Sequence, residues 1–445
     1  MTVAAQRQGT ATRAIWYPEI DGEGTDPGTP VGVVLPLAER VSFGPSQNMI
    51  DAPVFDGTML PGDVIPGLIQ AQGGLPIGLE FTTIGHLLFS LFGKTDGYLR
   101  PASPGFLHEF FVPTAFGASA GSGQVQYEFG PATIQYLRYK YARVNSIGLE
   151  MSPEGQARAS VDLMGSGDEA QTDLAGTKTD NGYAAASYFN GKLLADDVSI
   201  AGLVTAFGVN FSAGLSRQDS VLNAGIAAAI NFGKLTFGGH LELMMQKAGS
   251  TIASDLTFYN KAVNQTRTQI ECVWSDLPPA QATKWLRVVI TRALFGRAVP
   301  APGGPNGVVL RQSFKAPNDS SAKTKAELFG SVAGPYLIGA STNKLSVKKD
   351  GAAGVVVTLT QGAARTAAQI AAEIDAALTG VDSEEFMGRV MIRHATAGSA
   401  SSVAIDTAEP NSAHTVLGMG STVRTGKDNC PILVQLYNAK SADYT

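Results

Sequence analysis

The sequence has little charge and few reactive side chains. Lys, Arg, Asp and Glu make up 16% of the 445 residues, against a usual ~25%. No run of roughly 18 apolar residues exists, so no transmembrane helix and no membrane insertion are expected. The first 20 residues lack an apolar signal core, which predicts that the chain is not secreted. The formal net charge of −5 argues against a general electrostatic attraction to nucleic acid.

The two cysteines and five histidines do not predict a metal site. Cys272 and Cys430 lie far apart in sequence and are interpreted as small buried hydrophobic residues. The five histidines are His86, His108, His240, His394 and His414. No two of them have the spacing of a local metal pair. His86 falls within a predicted apolar helix and is expected to be packed, whereas His240 falls on the polar side of a strand, two residues from Glu242. We therefore predict no metal and no cofactor-binding residues.

Three short patterns were considered as catalytic or phosphate-binding motifs, and none meets the requirements of such a motif. The sequence GASAG, residues 117–121, places Ser119 in a G-x-S-x-G pattern, but a nucleophile elbow leads into a helix, and SGQVQYEFG reads as a strand. The sequence GSTVRTGKD, residues 420–428, has one residue too many for a phosphate loop, and Asp428 stands where Ser or Thr is needed. The acidic run DSEE, residues 382–385, is interpreted as a solvated loop. No catalytic residue and no enzymatic activity are predicted.

Turn residues and alternating apolar residues are abundant. Glycine and proline number 51 and 23, and 44% of the chain is hydrophobic, which favours many short strands and a surface partly covered by other subunits. Alternation of apolar and polar residues predicts antiparallel strands with one solvent-exposed face in QARASVDLMG, FGVNFSAGLSRQ and GKLTFGGHLELMMQK. One apolar helix is predicted over residues 78–93, with Phe81, Ile84, Leu88, Leu91 and Phe92 along one stripe.

The pattern changes near residue 335. A hairpin is predicted with its turn near Asp350 and Gly351, followed by the helix TAAQIAAEIDAAL, in which Thr366 and Gln369 have capping-box spacing. Two further strands around a small-residue turn and a short helix, SAHTVLGM, complete a compact α+β unit of ββαββ type. We expect residues 335–425 to be an insertion in a larger β domain formed by residues 1–330 and 426–445, because CPILVQLYNAK returns to a strand pattern.

Residues 40–298 resemble the major tail tube proteins of long-tailed bacteriophages. The resemblance lies in the order of ERVSFGPS, GLEFTTIGHLLFSLFG, HEFFVPT, SIGLEMSPEGQARASVDLMGSGD, VSIAGLVTAFGVNFSAGLSR and KLTFGGHLELMM, and in the closing VQLYNAKSADY. It implies a mainly β fold, an antiparallel β-sandwich or split barrel flanked by a helix. It also implies six copies in a ring and rings stacked into a tube around a channel for the genome.

The resemblance also implies the partners and the location of the chain. The partners would be further copies of the chain, the tape measure protein, the tail terminator and baseplate proteins, with double-stranded DNA passing through the lumen. The chain would lie in the virion tail, and in the host cytoplasm during assembly. A long early loop of the family reaches a neighbouring ring, and we expect the Gly/Pro-rich segment 44–76 to make that contact.

The unit at residues 335–425 is additional to the simplest members of that family. It resembles small decoration domains, and it must project outside because a lumen filled by six copies could not pass DNA. We expect its deletion to leave tubes intact.

Three alternatives remain open at this stage. A contractile-tail sheath protein has similar inserted domains but usually larger α/β domains. An outer-membrane β-barrel would suit the strand alternation, but the apolar helix and the Gly/Pro-rich loops fit it poorly. A secreted hydrolase or sugar-binding β-protein would need a convergent polar site, which the sequence does not suggest.

Overall fold

A computed structural model describes most of the chain. The described residues are 12–21, 23–51, 64–93, 95–99, 105–112, 121–130, 134–151, 156–182, 191–200, 204–219, 226–244, 255–302, 308–317, 321–440 and 444. The predicted motif around Ser119 lies outside them.

The described residues form short strands and few helices. The strands up to residue 244 are β1 Thr12–Pro18, β2 Val31–Leu35, β3 Gly44–Asp51, β4 Val64–Gly78, β5 Thr95–Leu99, β6 Phe106–Phe111, β7 Gly123–Phe129, β8 Gln135–Met151, β9 Arg158–Gly165, β10 Glu169–Ala170, β11 Thr177–Thr179, β12 Lys192–Ala195, β13 Val198–Ser199, β14 Val204–Ser212, β15 Ser216–Asp219, β16 Ala227–Asn231 and β17 Thr236–Met244. The later strands are β18 Thr268–Ser275, β19 Trp285–Phe295, β20 Ala301–Pro302, β21 Val308–Lys315, β22 Lys325–Phe329, β23 Tyr336–Ile338, β24 Lys344–Lys349, β25 Val355–Thr358, β26 Gly362–Arg365, β27 Val381–Phe386, β28 Arg389–Ala397, β29 Ser402–Asp406, β30 Arg424–Thr425 and β31 Ile432–Asn438. The helices are α1 Thr83–Phe92, α2 Asp255–Val263, α3 Ala367–Ala377 and α4 His414–Leu417, with one 3₁₀ turn at Pro279–Gln281. None of the helices in these residues is long and apolar enough to cross a membrane.

The first large sheet divides at its longest strand, β8. Antiparallel pairing runs in the order β2–β1–β7–β8–β9–β4–β3. The second half of β8 pairs with β14, which continues to β17 and β21. A second sheet runs in the order β5–β6–β31–β19–β18–β12–β13. β19 joins the two, because its last residues pair with β21.

The two sheets face each other across one hydrophobic core. Side chains such as Leu149, Val161 and Phe211 enter it from the first sheet, and Trp274 and Val288 from the second. Helix α1 fills the same core, with Ile84, Leu87, Leu88, Leu91 and Phe92 all buried. The prediction of a mainly β sandwich with a flanking helix is therefore confirmed. The described strands do not close into a barrel.

Helix α1 begins later than the sequence predicted. Residues up to Gly78 belong to β4, and the carboxylate of Glu80 accepts hydrogen bonds from the backbone N–H groups of Thr82 and Thr83. This carboxylate supplies the partners that the first turn of a helix lacks. The helix ends as predicted at Gly93, whose φ of 74° closes the last turn.

A second hydrophobic core lies in residues 326–419. It contains apolar residues from strands β22 to β25 and β27 to β29 and from α3 and α4. Its strands form three small sheets, β22–β28–β27, β25–β24–β29–β30 and β23–β26. The predicted hairpin is present as β24–β25, and both Asp350 and Gly351 have positive φ. The predicted capping box of α3 is present, because Thr366 and Gln369 exchange side-chain to backbone hydrogen bonds.

Three details of this region differ from the sequence interpretation. The run DSEE is part of strand β27 rather than a solvated loop. The two strands around the small-residue turn, β28 and β29, belong to different sheets. Strand β22, which the sequence analysis placed in residues 1–330, pairs with β28. These differences share one cause: strand partners far apart in sequence leave no trace in local periodicity.

Candidate assembly surfaces

The first large sheet has a polar face opposite the core. Buried and polar side chains alternate along β9, β14 and β17, as the sequence predicted. The polar face consists of Ser146, Glu150, Arg158, Ser160, Asp162, Asn210, His240, Glu242, Arg311, Ser313 and Lys315. Strand register places Arg158 opposite Glu150, and Arg311 opposite Glu242. Two pairs of opposite charges thus lie side by side, whereas Lys315 lies opposite Gly238 and Arg40 borders the same face.

A shallow depression of about 500 Å³ lies in the middle of this polar face. Small residues produce it, because Gly148 and Gly208 lie on the neighbouring strands β8 and β14. Packing requires glycine at position 208, because a Cβ atom there would collide with the ring of His240. The pKa of His240 is lowered by burial, so the ring is neutral at pH 7. The surface is therefore concave, polar and close to electrically neutral.

A two-stranded ribbon extends from the same sheet. It is the outer part of the β3–β4 hairpin, residues 44–51 and 64–70, and we call it the ribbon. Pairing runs from Gly44 opposite Gln72 to Asp51 opposite Val64. Exposed apolar side chains gather toward its end, namely Met49, Ile50, Val64, Ile65 and Leu68. A two-stranded ribbon is at best marginally stable alone in water, and exposed apolar clusters mark interaction sites.

Comparison with known proteins identifies the family. The family model for phage tail tube proteins matches residues 10–316. The chain belongs to the phage tail tube protein family. A search of curated proteins found no match. The matched span covers both large sheets as far as β21 and ends before the second hydrophobic core. Membership makes the chain a structural tail tube subunit and a component of the virion tail.

The tail tube sheets and residues 322–428 meet at an apolar junction. The outward side of the second sheet contributes Leu107, Val273, Trp285 and Tyr437 to it. Residues beyond 320 contribute Phe329, Phe386, Met387 and Met391. The Trp285 ring contacts the rings of Phe329, Phe386 and Tyr437 at centroid distances of 5.6, 5.2 and 5.7 Å. The second sheet is therefore buried on both of its faces.

Next to the apolar junction lies a buried ionic network. Arg287 on β19 is 1% exposed and donates two hydrogen bonds to the carboxylate of Glu271, at 2.8 and 2.7 Å. The same guanidinium donates to Glu327 on β22 and to the amide oxygen of Gln435 on β31. Arg393 on β28 forms ion pairs with Glu327 at 3.1 Å and with Glu384 at 2.7 Å. The network thus connects three strands of the second large sheet, β18, β19 and β31, to the three strands β22, β27 and β28.

The network holds its charges in fixed states. Burial alone would raise the pKa of Glu327, but the positive charges of Arg287 and Arg393 outweigh this and lower it to about 2. Burial favours a neutral Arg287, yet the neighbouring Glu271 and Glu327 carboxylates raise its pKa well above the ordinary value. Buried charges are tolerated only when they are paired and hydrogen-bonded. These paired charges therefore hold the strands that carry them in one fixed arrangement.

The histidines singled out in the sequence lie in separate places, except that His86 and His108 lie against the same tyrosine ring. His86 and His108 both contact the ring of Tyr444, at 4.8 and 4.7 Å between ring centroids. Burial lowers the pKa of His86 to about 3 and that of His108 to about 4, so both rings are neutral at pH 7. His394 contacts Asp350 within the region of the second core.

The described residues contain no disulfide bond and no group of side chains spaced to hold a metal ion. Cys272 and Cys430 are buried and unbridged, as predicted. No group of three or more His, Cys, Asp or Glu residues in the described segments could hold a metal ion.

Sequence reasoning missed the ionic network. The sequence feature that could have indicated the network is a single charged residue inside an apolar strand. Glu271 in TQIECVWS and Arg287 in WLRVVI are such residues. Such a charge must find a partner when the strand is buried on both faces. The partners Glu327 and Arg393 lie 40 and more residues away, so no local pattern could name them.

Proposed function

We propose that the chain forms six-membered rings that stack into a hollow tube, and that the polar face lines its lumen. The observation that carries this proposal is the two pairs of opposite charges on neighbouring strands of a concave polar sheet. DNA binding gains affinity when clustered cations release counterions from phosphates. Because Arg158 and Arg311 each lie opposite a glutamate, the face offers few uncompensated cations, so DNA can pass without being held.

The second large sheet supports an outward position for the residues after 320. The two sheets share one core, so their other faces point in opposite directions. If the polar face lines the lumen, the junction at Trp285 and Arg287 lies toward the outside of the tube. The unit with the second core would then project outward, which agrees with the family match ending at residue 316.

We further propose new bounds for this inserted unit. Because β22 pairs with β28, the unit would begin near residue 322, rather than at 335, and end near residue 428. Residues 1–321 and 429–445 would form the tail tube domain. Deletion of residues 335–425 would remove the partner strand of β22 and uncover Trp285 and Tyr437. We therefore expect that deletion to impair folding, in contrast to the freely removable decoration that the sequence suggested.

The ribbon is proposed as the contact between successive rings. Its exposed apolar side chains need cover, and a second copy of the chain is the partner that a tube supplies. The other partners proposed are the tape measure, terminator and baseplate proteins, with assembly in the host cytoplasm. The proposal includes no enzymatic activity and no cofactor.

Electron microscopy of the purified chain tests the central proposal. We expect hollow tubes or six-fold rings, with density on the outer surface from residues 322–428. Truncating the ribbon by replacing residues 46–70 with a short glycine linker should give rings or monomers without tubes. A chain that remains monomeric when concentrated and when mixed with preformed tail tips would contradict the proposal.

A further inference from the structure

An acidic segment follows strand β1 and lies against strand β8. We call it the strap, and its described residues are 19–21 and 23–28. It contains no basic residue, and its acidic residues are Glu19, Asp21, Glu23 and Asp26. The Glu19 carboxylate accepts hydrogen bonds from the Ser122 hydroxyl at 2.6 Å and from the backbone N–H of Tyr141 at 2.9 Å. These buried contacts hold the beginning of the strap in place.

The first half of β8 carries three cations on the side of the sheet opposite the hydrophobic core. Tyr139, Ala142 and Val144 belong to the core, so the alternation of a strand puts their neighbours on the other side. Those neighbours are Arg138, Lys140 and Arg143, and we call them the basic strip. Further along β8, the same side carries Ser146 and Glu150 of the polar face. The basic strip therefore continues that face.

Carboxylates of the strap pair with all three cations. The Asp26 carboxylate accepts hydrogen bonds from both terminal nitrogens of Arg138, at 2.9 and 3.2 Å. The same carboxylate lies 3.4 Å from the Lys140 ammonium. Glu23 forms an ion pair with Arg143. Two acidic residues of the strap thus neutralise the whole strip.

The strap carboxylates form the solvent side of this arrangement. The side chains of Asp26 and Glu23 are 43% and 50% exposed, whereas those of Arg138 and Arg143 are 3% and 6% exposed. Among the described residues outside the strap, only Asp168 forms an ion pair with the strip, at 4.0 Å from its lysine. The strap therefore separates the strip from solvent and supplies most of its counter-charge.

The chemistry of the basic strip also suits a second kind of anion. Guanidinium groups bind carboxylates and phosphates with the same bidentate geometry. Side chains on one side of a strand are about 6.8 Å apart, so the strip presents its cations in a row. Such a row neutralises several phosphates of duplex DNA and releases their counterions. Because the strap belongs to the same chain, its carboxylates act at an effective concentration on the order of millimolar and exclude dilute phosphates.

We propose that the strap is an autoinhibitory cover, which keeps the basic strip of β8 from binding the phosphate backbone of duplex DNA. With the strap in place, Asp26 and Glu23 hold the three cations. Without those two negative charges, the strip becomes a surface that binds DNA regardless of sequence. The inference concerns a single copy of the chain and does not depend on the proposed tube.

Removing the two charges in the full-length chain tests this cover. The double variant Glu23→Gln with Asp26→Asn keeps the size of both side chains, and fluorescence anisotropy measures its binding to a labelled DNA duplex. Three available cations give a slope of about −2.7 for the logarithm of affinity against the logarithm of salt concentration, a loss of about 40-fold over a fourfold rise in salt. The matched control, Asp180→Asn with Glu385→Gln, changes the net charge equally at two exposed sites and should bind DNA as weakly as wild type.

A further substitution connects the binding to the strip. Adding Lys140→Gln to the double variant removes one of the three cations and should reduce the slope to about −1.8. If circular dichroism shows that the double variant does not fold, the single variant Glu23→Gln replaces it. That variant frees only Arg143, and its slope should be about −0.9.

Three results would overturn the inference. The first is a folded strap variant that binds DNA no better than wild type. The second is equal binding by the control variant, because net charge alone would then explain the effect. The third is a salt slope that Lys140→Gln leaves unchanged, because the DNA would then bind elsewhere. None of these results bears on tube formation, which electron microscopy of the same variants reports separately.

Discussion

Replacing Glu327 by glutamine tests whether the ionic network holds the residues after 320 against the tail tube sheets. Glutamine keeps the size of the side chain and removes its charge. Arg287 and Arg393 would then keep their burial but lose a shared counter-charge. Removing one partner of a buried ion pair typically costs ~3–5 kcal/mol, because the remaining charge is left uncompensated.

The pKa of Glu327 gives a second and independent magnitude. Each pKa unit corresponds to about 1.4 kcal/mol, so lowering this pKa from 4.5 to about 2 stabilises the fold by about 3 kcal/mol at pH 7. Because the folded-state pKa is depressed, this stabilisation is complete above pH 4.5 and is lost as the pH falls toward 2. At pH 3 we expect the difference between wild type and Glu327→Gln to shrink to about 1 kcal/mol.

Urea unfolding followed by tryptophan fluorescence measures both quantities. Trp285 lies at the junction, so its emission reports separation of the two parts. The matched control is Glu385→Gln, an exposed acid on β27, which should change stability by less than ~0.5 kcal/mol. Other carboxyl groups titrate in the same range but contribute equally to wild type and variant. A Glu327→Gln chain as stable as the Glu385→Gln control at pH 7 would refute this account of the network.

Three further predictions concern the helices and the polar face. Leu88→Ala in α1 should cost about 2–5 kcal/mol of unfolding free energy, whereas Leu337→Ala at an exposed site should cost little; equal midpoints in urea would contradict the packing of α1. Thr366→Ala should destabilise the unit around α3 by ~1 kcal/mol through loss of its cap, measured by thermal unfolding, and an unchanged melting temperature would count against that cap. Glu150→Lys should leave tubes intact but make them bind duplex DNA more tightly at low salt than at high salt, measured by fluorescence anisotropy. Variant tubes that show no salt-dependent binding would argue against placing the polar face in the lumen.

Much of the local structure could be predicted because it depends on neighbours in sequence. The alternation in β9 and β17 follows from the two-residue period of a strand with one buried face. The cap of α3 requires only Thr366 and Gln369, three residues apart. The turn at Asp350 and Gly351 needs only residues that accept positive φ. The order of such patterns was also enough to indicate the family that the comparison then showed.

The start of α1 and the interpretation of DSEE failed for different reasons. Apolar residues continue upstream of Thr83, but only Gly78 among them joins strand β4, and residues 79–82 form the turn that leads into the helix. The acidic run has a solvated composition, yet it pairs with β28 as a strand and Glu384 forms an ion pair with Arg393. In the second case a distant segment supplied hydrogen bonds and charge that overrode the local preference.

Local sequence patterns were sufficient for the class of the protein: a charge-poor, turn-rich chain of strands with one solvent-exposed face, one apolar helix and an additional capped α+β unit. The surfaces available for assembly depend on tertiary contacts. The tertiary structure brought Arg287, Glu327 and Arg393 into one buried network, gathered exposed apolar side chains toward the end of the ribbon, and paired charges of the polar face across strands. The physical reason is that strand register and sheet stacking join residues hundreds of positions apart, and these contacts carry no local period that a sequence can display.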